Sequence, residues 1–348
     1  MTEHLPAVVV GGGQAGLAAS FYLRRRGIDH VVLDAAERPG GAWRQTWPSL
    51  RLFSPAAYSS LPGWRMPATP GADNPDAAHV IDYLARYEER YAVPVRRPVR
   101  VRGVTRSGEG FEVVTGAGTW SAGTVIGATG NGTRPFVPAV PGLSDFEGEQ
   151  RHSSGYAGPE EFAGRRVLVV GGANSGAQIA ADLLPVAEVT WATLTPPRYL
   201  PDDVDGRELF RVASARLRGE GGGVGSLGDI VAVPPVRRAR DEGGLVATPM
   251  VRSITRTGAV GPDGVERGFD AIIWCTGFRP DLSWLSGLDL PRRDGRVVTD
   301  GTPVVPGVPG LFLLGYGDWC GPASATLIGV GQWARLVADR VAAALEPA

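Results

Sequence analysis

Hydrophobic residues in the first part of the chain come in short unbroken blocks, each closed by a glycine turn or by a switch to helical spacing. Ala7–Val10 is the first block; it runs into Gly11-Gly12-Gly13-Gln14-Ala15-Gly16, and helix-patterned residues continue to Arg26. His30–Leu33 is the second block, closed by Asp34. Unbroken blocks bounded by turns predict strands, and apolar positions repeating every third or fourth residue predict helices. By the same criteria Asp76–Tyr91 is a surface helix, Val93–Val104 and Gly110–Val114 are antiparallel strands, and Thr119–Gly127 is a strand entering Ala128-Thr129-Gly130.

The opening pattern then returns. Arg166–Val170 is apolar and leads into Gly171-Gly172-Ala173-Asn174-Ser175-Gly176, followed by a helix over Ala177–Leu184 and a strand over Glu188–Leu194. Asp270–Trp274 is a strand ending in Cys275-Thr276-Gly277-Phe278, and Leu311–Leu314 is one ending in Gly315-Tyr316-Gly317-Asp318 before a last helix whose apolar face spans Ala325–Ala344. Leu245–Arg256 and the segment around Gly268 read as strands returning to the main body, while 200–244 reads as an elaboration of the second unit, with a turn and helix, a flexible stretch and an extended basic run that could serve as a mobile cover. Strands alternating with helices predict an α/β fold, and the repeat predicts two dinucleotide-binding units. The two T-G strand ends mark crossings between them. The expected division is residues 1–149 and 270–348 for the first unit, with 150–269 inserted as the second.

The chemistry of the two turns follows from glycine. In a G-x-G-x-x-G turn between strand and helix, Gly11 allows the tight turn, Gly13 lets backbone approach a pyrophosphate, and Gly16 lets helix and strand pack closely. The helix N-terminus adds unpaired N–H groups and a positive dipole end. Asp34 is placed to accept hydrogen bonds from ribose hydroxyls. In the second copy Ala173 replaces the middle glycine, and the strand ends in Thr193-Leu194-Thr195-Pro196-Pro197-Arg198 without an acid. A missing carboxylate with a nearby Arg suits a 2′-phosphate and favours NADP over NAD.

Bulk composition narrows the class. The 348 residues suffice for two domains, and a net charge of −1 gives no electrostatic case for nucleic acid or an anionic membrane. All 35 basic residues are Arg, so no lysine can serve as Schiff base or general base. Cys275 and Cys320 form no C-x-x-C pair. No run of 18 apolar residues occurs and the first strand begins within seven residues, so the expectation is a cytoplasmic protein with neither membrane span nor signal peptide.

Between the two units lies Phe146-x-Gly148-x-x-x-His152-x-x-x-Tyr156. With the two glycine turns and the T-G junctions it resembles the identifying signature of flavin-containing monooxygenases, flavoproteins of two Rossmann-like dinucleotide-binding domains with the NADPH domain inserted in the FAD domain. Within that family the Gly40–Trp43, Leu50–Ser54 and Gly315–Trp319 stretches are similar to small bacterial ArsO-like NADPH-dependent enzymes. The resemblance implies FAD contacts from Gly11, Gly13, Gln14, Ala15, Gly16, Asp34, Gly41, Trp43, Arg44, Val101, Ala128, Thr129, Gly130 and Asp318. It implies NADP contacts from Gly171, Ala173, Asn174, Ser175, Gly176, Thr193, Arg198, Thr276 and Gly277. Trp47, Ser54, Tyr58 and Asn131, in or beside the aromatic loop Gln45–Gly63 and the first crossing, are candidates for the flavin's reactive face, and core packing explains each nearly as well.

The implied reaction uses O2 and a small-molecule substrate: NADPH reduces the flavin, O2 adds at its C4a position, and one oxygen passes to a soft nucleophile at N, S, Se or As. No metal ligand set and no conventional acid–base pair are required, and His152 reads as a linker organiser rather than a base. A disulfide reductase would need a dithiol near the flavin. An NADPH oxidase and a non-enzymatic redox sensor stay open from sequence, as do the substrate and a homodimer.

Overall fold

In the computed structural model the described residues are 4–69, 71, 74–202, 204 and 229–345. The first sheet is built from β1 (His4–Val10), β2 (His30–Leu33), β3 (Val95–Arg96), β4 (Val101–Ser107), β5 (Gly110–Thr115) and β6 (Gly118–Gly127), in the order β3-β2-β1-β6-β5-β4. Its parallel half, β3-β2-β1-β6, is the nucleotide-binding arrangement, and an antiparallel meander, β4-β5-β6, extends it. Helix α1 (Gln14–Arg25) covers one face and α2 (Ala77–Arg90) lies beside it. Asp76 starts α2 by accepting the His79 N–H at 2.8 Å, and Val80, Tyr83, Leu84 and Tyr87 form its buried stripe.

The second sheet takes β7 (Glu149–His152), β8 (Arg166–Val170), β9 (Glu188–Thr193), β10 (Ala247–Pro249) and β14 (Ala271–Trp274), all parallel, in the order β10-β9-β8-β14-β7. Helix α3 (Asn174–Leu183) crosses between β8 and β9, and α4 (Pro234–Asp241) packs nearby. Strands β11 (Ser253–Thr255), β12 (Gly258–Val260) and β13 (Glu266–Gly268) make a separate antiparallel sheet. The chain then forms a small hairpin, β15 (Arg292–Arg293) with β16 (Arg296–Val297), and returns to the first sheet as β17 (Leu311–Leu313), parallel to β6. Helix α5 (Val330–Leu345) closes the first unit by burying Trp333, Ala334, Val337, Ala338 and Val341 in the same core as α1.

Three expectations are corrected. Leu245–Arg256 and the Gly268 segment stay with the second unit, because β10 pairs β9 and β11–β13 pair among themselves. Ala271–Trp274, grouped by sequence with the first unit, lies between β8 and β7, so by strand membership the crossing back falls after Trp274. The run expected to be extended and basic is helical at Pro234–Asp241; two prolines at its start occupy positions where a helix has no partner for the N–H anyway. Residues 203 and 205–228, including the flexible stretch, lie outside the described residues.

Candidate cofactor site

The two glycine turns fold alike, residue for residue. Gly11 has φ +110°, and a Cβ on it would stand 2.5 Å from the Ala128 carbonyl oxygen at the first crossing. A Cβ on Gly16 would sit under 3.0 Å from Gly11 O, which a real side chain does not tolerate. Gly13 differs: a Cβ there would meet only Gly41 Cα, at 3.9 Å, and the N-terminus of α1 has no side-chain cap. Backbone N–H groups with a bare glycine in front of them form a cradle for an anion. In the second copy Gly171 (φ +136°) is pressed against Cys275 O, and Gly176 against Gly171 O, both closer than 3.0 Å for an added Cβ. Here Ala173 fills the position that is open at Gly13, again without a side-chain cap on the helix.

The backbone fixes which residues correspond beyond the turns. Gly11 N–H donates to Leu33 O at 2.8 Å and Gly171 N–H to Ala192 O at 3.0 Å, so the next residues, Asp34 and Thr193, are equivalent. Asp34 leans across Gly12, and Thr193 across Gly172. Asp34 is buried, and its Oδ2 accepts Arg97 Nε at 2.7 Å; the other two guanidinium nitrogens hold Glu88 at 2.6 and 2.8 Å. The carboxylate is thereby held in place and aimed. Arg97 and Glu88 were not singled out by sequence, since nothing local marks a pairing across 63 residues. Val99 N–H donates to Asp34 O at 2.7 Å, which places Val101, at the start of β4, two residues beyond that contact.

Around Gly13 the chain gathers the other first-unit residues. Gly41, Trp43 and Arg44 lie in a short helix, Gly41–Gln45, against Gly13. Gln14 accepts Trp43 Nε1–H at 3.0 Å and donates to Ala325 O at 2.7 Å, and Ala15 is buried. Arg38 and Arg44 line a cleft of about 540 Å³ with Ile81 and Asp82 of α2. At the crossing, Thr129 hydroxyl and Tyr316 hydroxyl are 2.7 Å apart, and Gly130 has φ +65° with open space beside it. Asn131 donates to Tyr316 O at 3.2 Å, while its buried Oδ1 has no partner, an acceptor left for a ligand donor. Asp318 accepts the Ala323 N–H at 3.0 Å through one oxygen and is otherwise exposed.

In the second unit both polar atoms of the Asn174 side chain are occupied by the segment 229–231, through Asp229 O and Val231 N. Ser175 opens α3. Arg198 gives Nε and Nη2 to Asp229 Oδ1 at 3.0 and 2.7 Å, yet its side chain is 70% exposed against 10% for the aspartate. The two crossings meet at Gly277, whose carbonyl accepts Phe136 N–H and His152 Nε2–H, each at 2.9 Å, while Thr276 hydroxyl donates to Phe136 O. Ser154 N–H donates to His152 Nδ1, so the ring is neutral. Burial lowers its pKa below the ordinary 6.5, against a smaller opposing effect of the Gly277 carbonyl. His152 therefore organises the hinge.

The four flavin-face candidates separate. Asn131 lies in the polar cluster above. Trp47 is buried edge-on to Tyr156, centroids 6.4 Å apart, in the second unit's core. Ser54 is buried, with its carbonyl accepting the Ser59 hydroxyl, and Tyr58 is 42% exposed.

The thiols are buried. Burial raises the pKa of both, and Cys320 is enclosed by hydrogen bonds to Tyr316 N–H, Gly317 O and Ser324.

Comparison with known proteins decides the family. Residues 8–202 match the pyridine nucleotide-disulphide oxidoreductase family. A flavin-containing monooxygenase from Stenotrophomonas maltophilia is 50% identical, with a TM-score of 0.91 over 98% of this chain and 99% of that one. The chain belongs to the flavin-containing monooxygenases. It is an FAD- and NADPH-dependent oxidoreductase of that family. An indole-3-pyruvate monooxygenase of Oryza sativa is 29% identical, covering 89% of this chain and 86% of its own. An uncharacterised CzcO-like oxidoreductase of Geobacillus kaustophilus is also 29% identical, covering 95% and 96%. Among the described residues, no helix is long and apolar enough to cross a membrane.

Proposed function

We propose that this flavin monooxygenase couples NADPH oxidation to transfer of one atom of O2 onto a small soft nucleophile at nitrogen, sulfur, selenium or arsenic. The observation that carries the reading is the pair of equivalent cradles that differ at two positions, Asp34/Thr193 and Gly13/Ala173. On this reading residues of the first sheet hold FAD and residues of the second hold NADPH. The acid at Asp34 suits an unphosphorylated ribose, and its absence at Thr193 leaves that place to a 2′-phosphate within reach of Arg198.

FAD, when bound, supplies two-electron redox chemistry and the activation of O2. The chain's own part is positional. Gly13 and the N-terminus of α1 take the pyrophosphate, Asp34 the ribose hydroxyls, and Asp318 the ribityl hydroxyls. Asn131 Oδ1, with no partner of its own, accepts an N–H from the ring system or the nicotinamide amide. Gly171, Ala173 and the N-terminus of α3 receive the NADPH pyrophosphate. Gly277, accepting from His152 and from Phe136, ties the two crossings together, and on this reading they would set the nicotinamide against the flavin. Cys275 and Cys320 are separate buried thiols, and they offer no exposed dithiol of the kind a disulfide reductase uses.

The test is turnover under isotopically labelled O2 with a panel of thioethers, amines, selenides and trivalent arsenicals. One labelled oxygen in product per NADPH consumed supports the reading. Stoichiometric hydrogen peroxide with every acceptor would make the protein an oxidase, and no flavin reduction by NADPH would refute an NADPH-dependent enzyme.

A further inference from the structure

Residues 47–53 leave the first unit, cross to α3, and come back. On the first-unit side Leu52 N–H donates to Pro75 O at 2.9 Å, and Arg51 pairs with Asp76, the cap of α2, at 3.5 Å. On the second-unit side Arg51 N–H donates to Gln178 Oε1 at 3.2 Å, and Gln178 Nε2 donates back to Arg51 O at 3.3 Å. A glutamine amide thus satisfies both backbone groups of one residue, as a neighbouring strand would. One turn further on, Asp182 Oδ2 accepts the Ser49 hydroxyl and the Tyr156 hydroxyl, both at 2.8 Å. The rings and side chains of Trp47, Leu50 and Phe53 fill the second unit's core beside Tyr156.

Among the described residues the units are otherwise joined at the crossings, where Phe136 N–H donates to Gly277 O and Arg279 N–H to Arg134 O. Two antiparallel crossing strands form a hinge, and a hinge alone leaves one rotation free. The 47–53 segment fastens that rotation. Its anchor points, Gln178 and Asp182, are on the helix whose N-terminus receives the NADPH pyrophosphate.

We infer that Gln178 and Asp182 are positioning residues for hydride transfer: through residues 49–51 they lock the nucleotide-bearing helix to the flavin unit in the orientation that lets the nicotinamide reach the flavin. This rests on the assignment of FAD to the first sheet and NADPH to the second. The step they serve moves two electrons and one proton from NADPH to FAD as hydride, giving NADP⁺ and, with one proton from solvent, the reduced flavin. Neither residue touches the reacting atoms.

Gln178→Ala removes both bonds to Arg51 from a half-buried surface position; Asp182→Asn is the conservative partner, because its amide oxygen still accepts from Tyr156 and Ser49. Misplacement of reacting atoms by about 1 Å costs on the order of a hundredfold in rate. The expected result for Gln178→Ala is therefore a fall of about tenfold or more in the anaerobic rate of flavin reduction by NADPH, with Asp182→Asn within about threefold of the parent. Bleaching by dithionite, bound FAD and NADPH affinity should stay at parent values, since none depends on how the units face each other. A Gln178→Ala protein that NADPH reduces within twofold of the parent rate would overturn the inference, as would an equal loss in dithionite bleaching. Failure of NADPH to reduce the parent protein would instead refute the assignment on which it rests.

Discussion

The three glycines of the first turn make different claims, and two substitutions separate them. Gly13→Ala places a methyl where only Gly41 Cα is near, at 3.9 Å, an ordinary contact distance. Gly13 has φ −81°, which alanine adopts freely, so restricting the unfolded chain adds roughly 0.4–1 kcal/mol of stability. Alanine is a poorer N-cap than glycine by about the same amount, and the two effects offset. The apoprotein should melt within about 3 °C of the parent. On the proposed assignment FAD sees the opposite: the methyl would stand between its pyrophosphate and the N–H groups of the turn. Loss of one charge-assisted hydrogen bond costs about 1.5–3 kcal/mol, or roughly 10- to 150-fold in affinity. Gly16→Ala reverses the pattern, since its methyl falls on Gly11 O; overpacking of about 1–3 kcal/mol or more lowers the apoprotein's melting temperature directly. Apoprotein melting and titration with FAD, followed by quenching of flavin fluorescence, read both quantities. A Gly13→Ala apoprotein that melts far below the parent, or one that binds FAD as tightly, refutes the argument that this glycine serves the ligand and not the fold.

Four more expectations follow from the same geometry. Ala173→Gly should tighten NADPH binding by a few-fold with no loss of fold, measured as Kd by titration of the oxidised enzyme. Thr193→Asp puts a carboxylate where Asp34 stands in the other unit and should shift the NADPH-to-NADH ratio of kcat/KM towards NADH by about tenfold or more, through like-charge repulsion of the 2′-phosphate. His152 is held neutral with its pKa below 6.5. Its contribution to stability is therefore complete above the unfolded value and is lost as pH falls through that value towards the lower folded one. Melting temperature against pH should flatten on its acid side in His152→Gln; an unchanged slope rejects the assignment of that titration to His152. Finally, the native protein should leave a disulfide-exchange reagent unreacted, with two thiols appearing on unfolding.

What the sequence carried plainly is what local chemistry decides. Both glycine turns were legible because each position has one physical job, and Gly11 and Gly171 do meet the crossing carbonyls of Ala128 and Cys275 in the same way. Pairing between distant segments was not legible. Strand β14 is apolar enough for either sheet, and its place beside Val167 and Glu149 is a choice among long-range partners. The aromatic loop shows the same limit: Trp47 and Phe53 read as equally fit for a flat cofactor or a core, and the answer came from a helix some hundred residues on. The helix at Pro234 is not legible locally, because proline serves extended chain and the first turn of a helix alike.

The asymmetry between the halves bears on turnover. A flavin that must stay bound and a nicotinamide nucleotide that must leave after each cycle place opposite demands on cradles of the same design. The first half leaves the middle glycine bare, braces its acid with Arg97 and Glu88, and closes over the site with Gly41–Gln45. The second half puts a methyl at Ala173, engages the Asn174 amide with its own chain, and pairs Arg198 with Asp229. On the proposed assignment of FAD to the first half and NADPH to the second, each of these loosens the hold on the nicotinamide nucleotide relative to that on the flavin. Tightening that grip at Ala173→Gly should slow NADP⁺ release, so in a steady state limited by that step kcat falls while KM for NADPH falls with it.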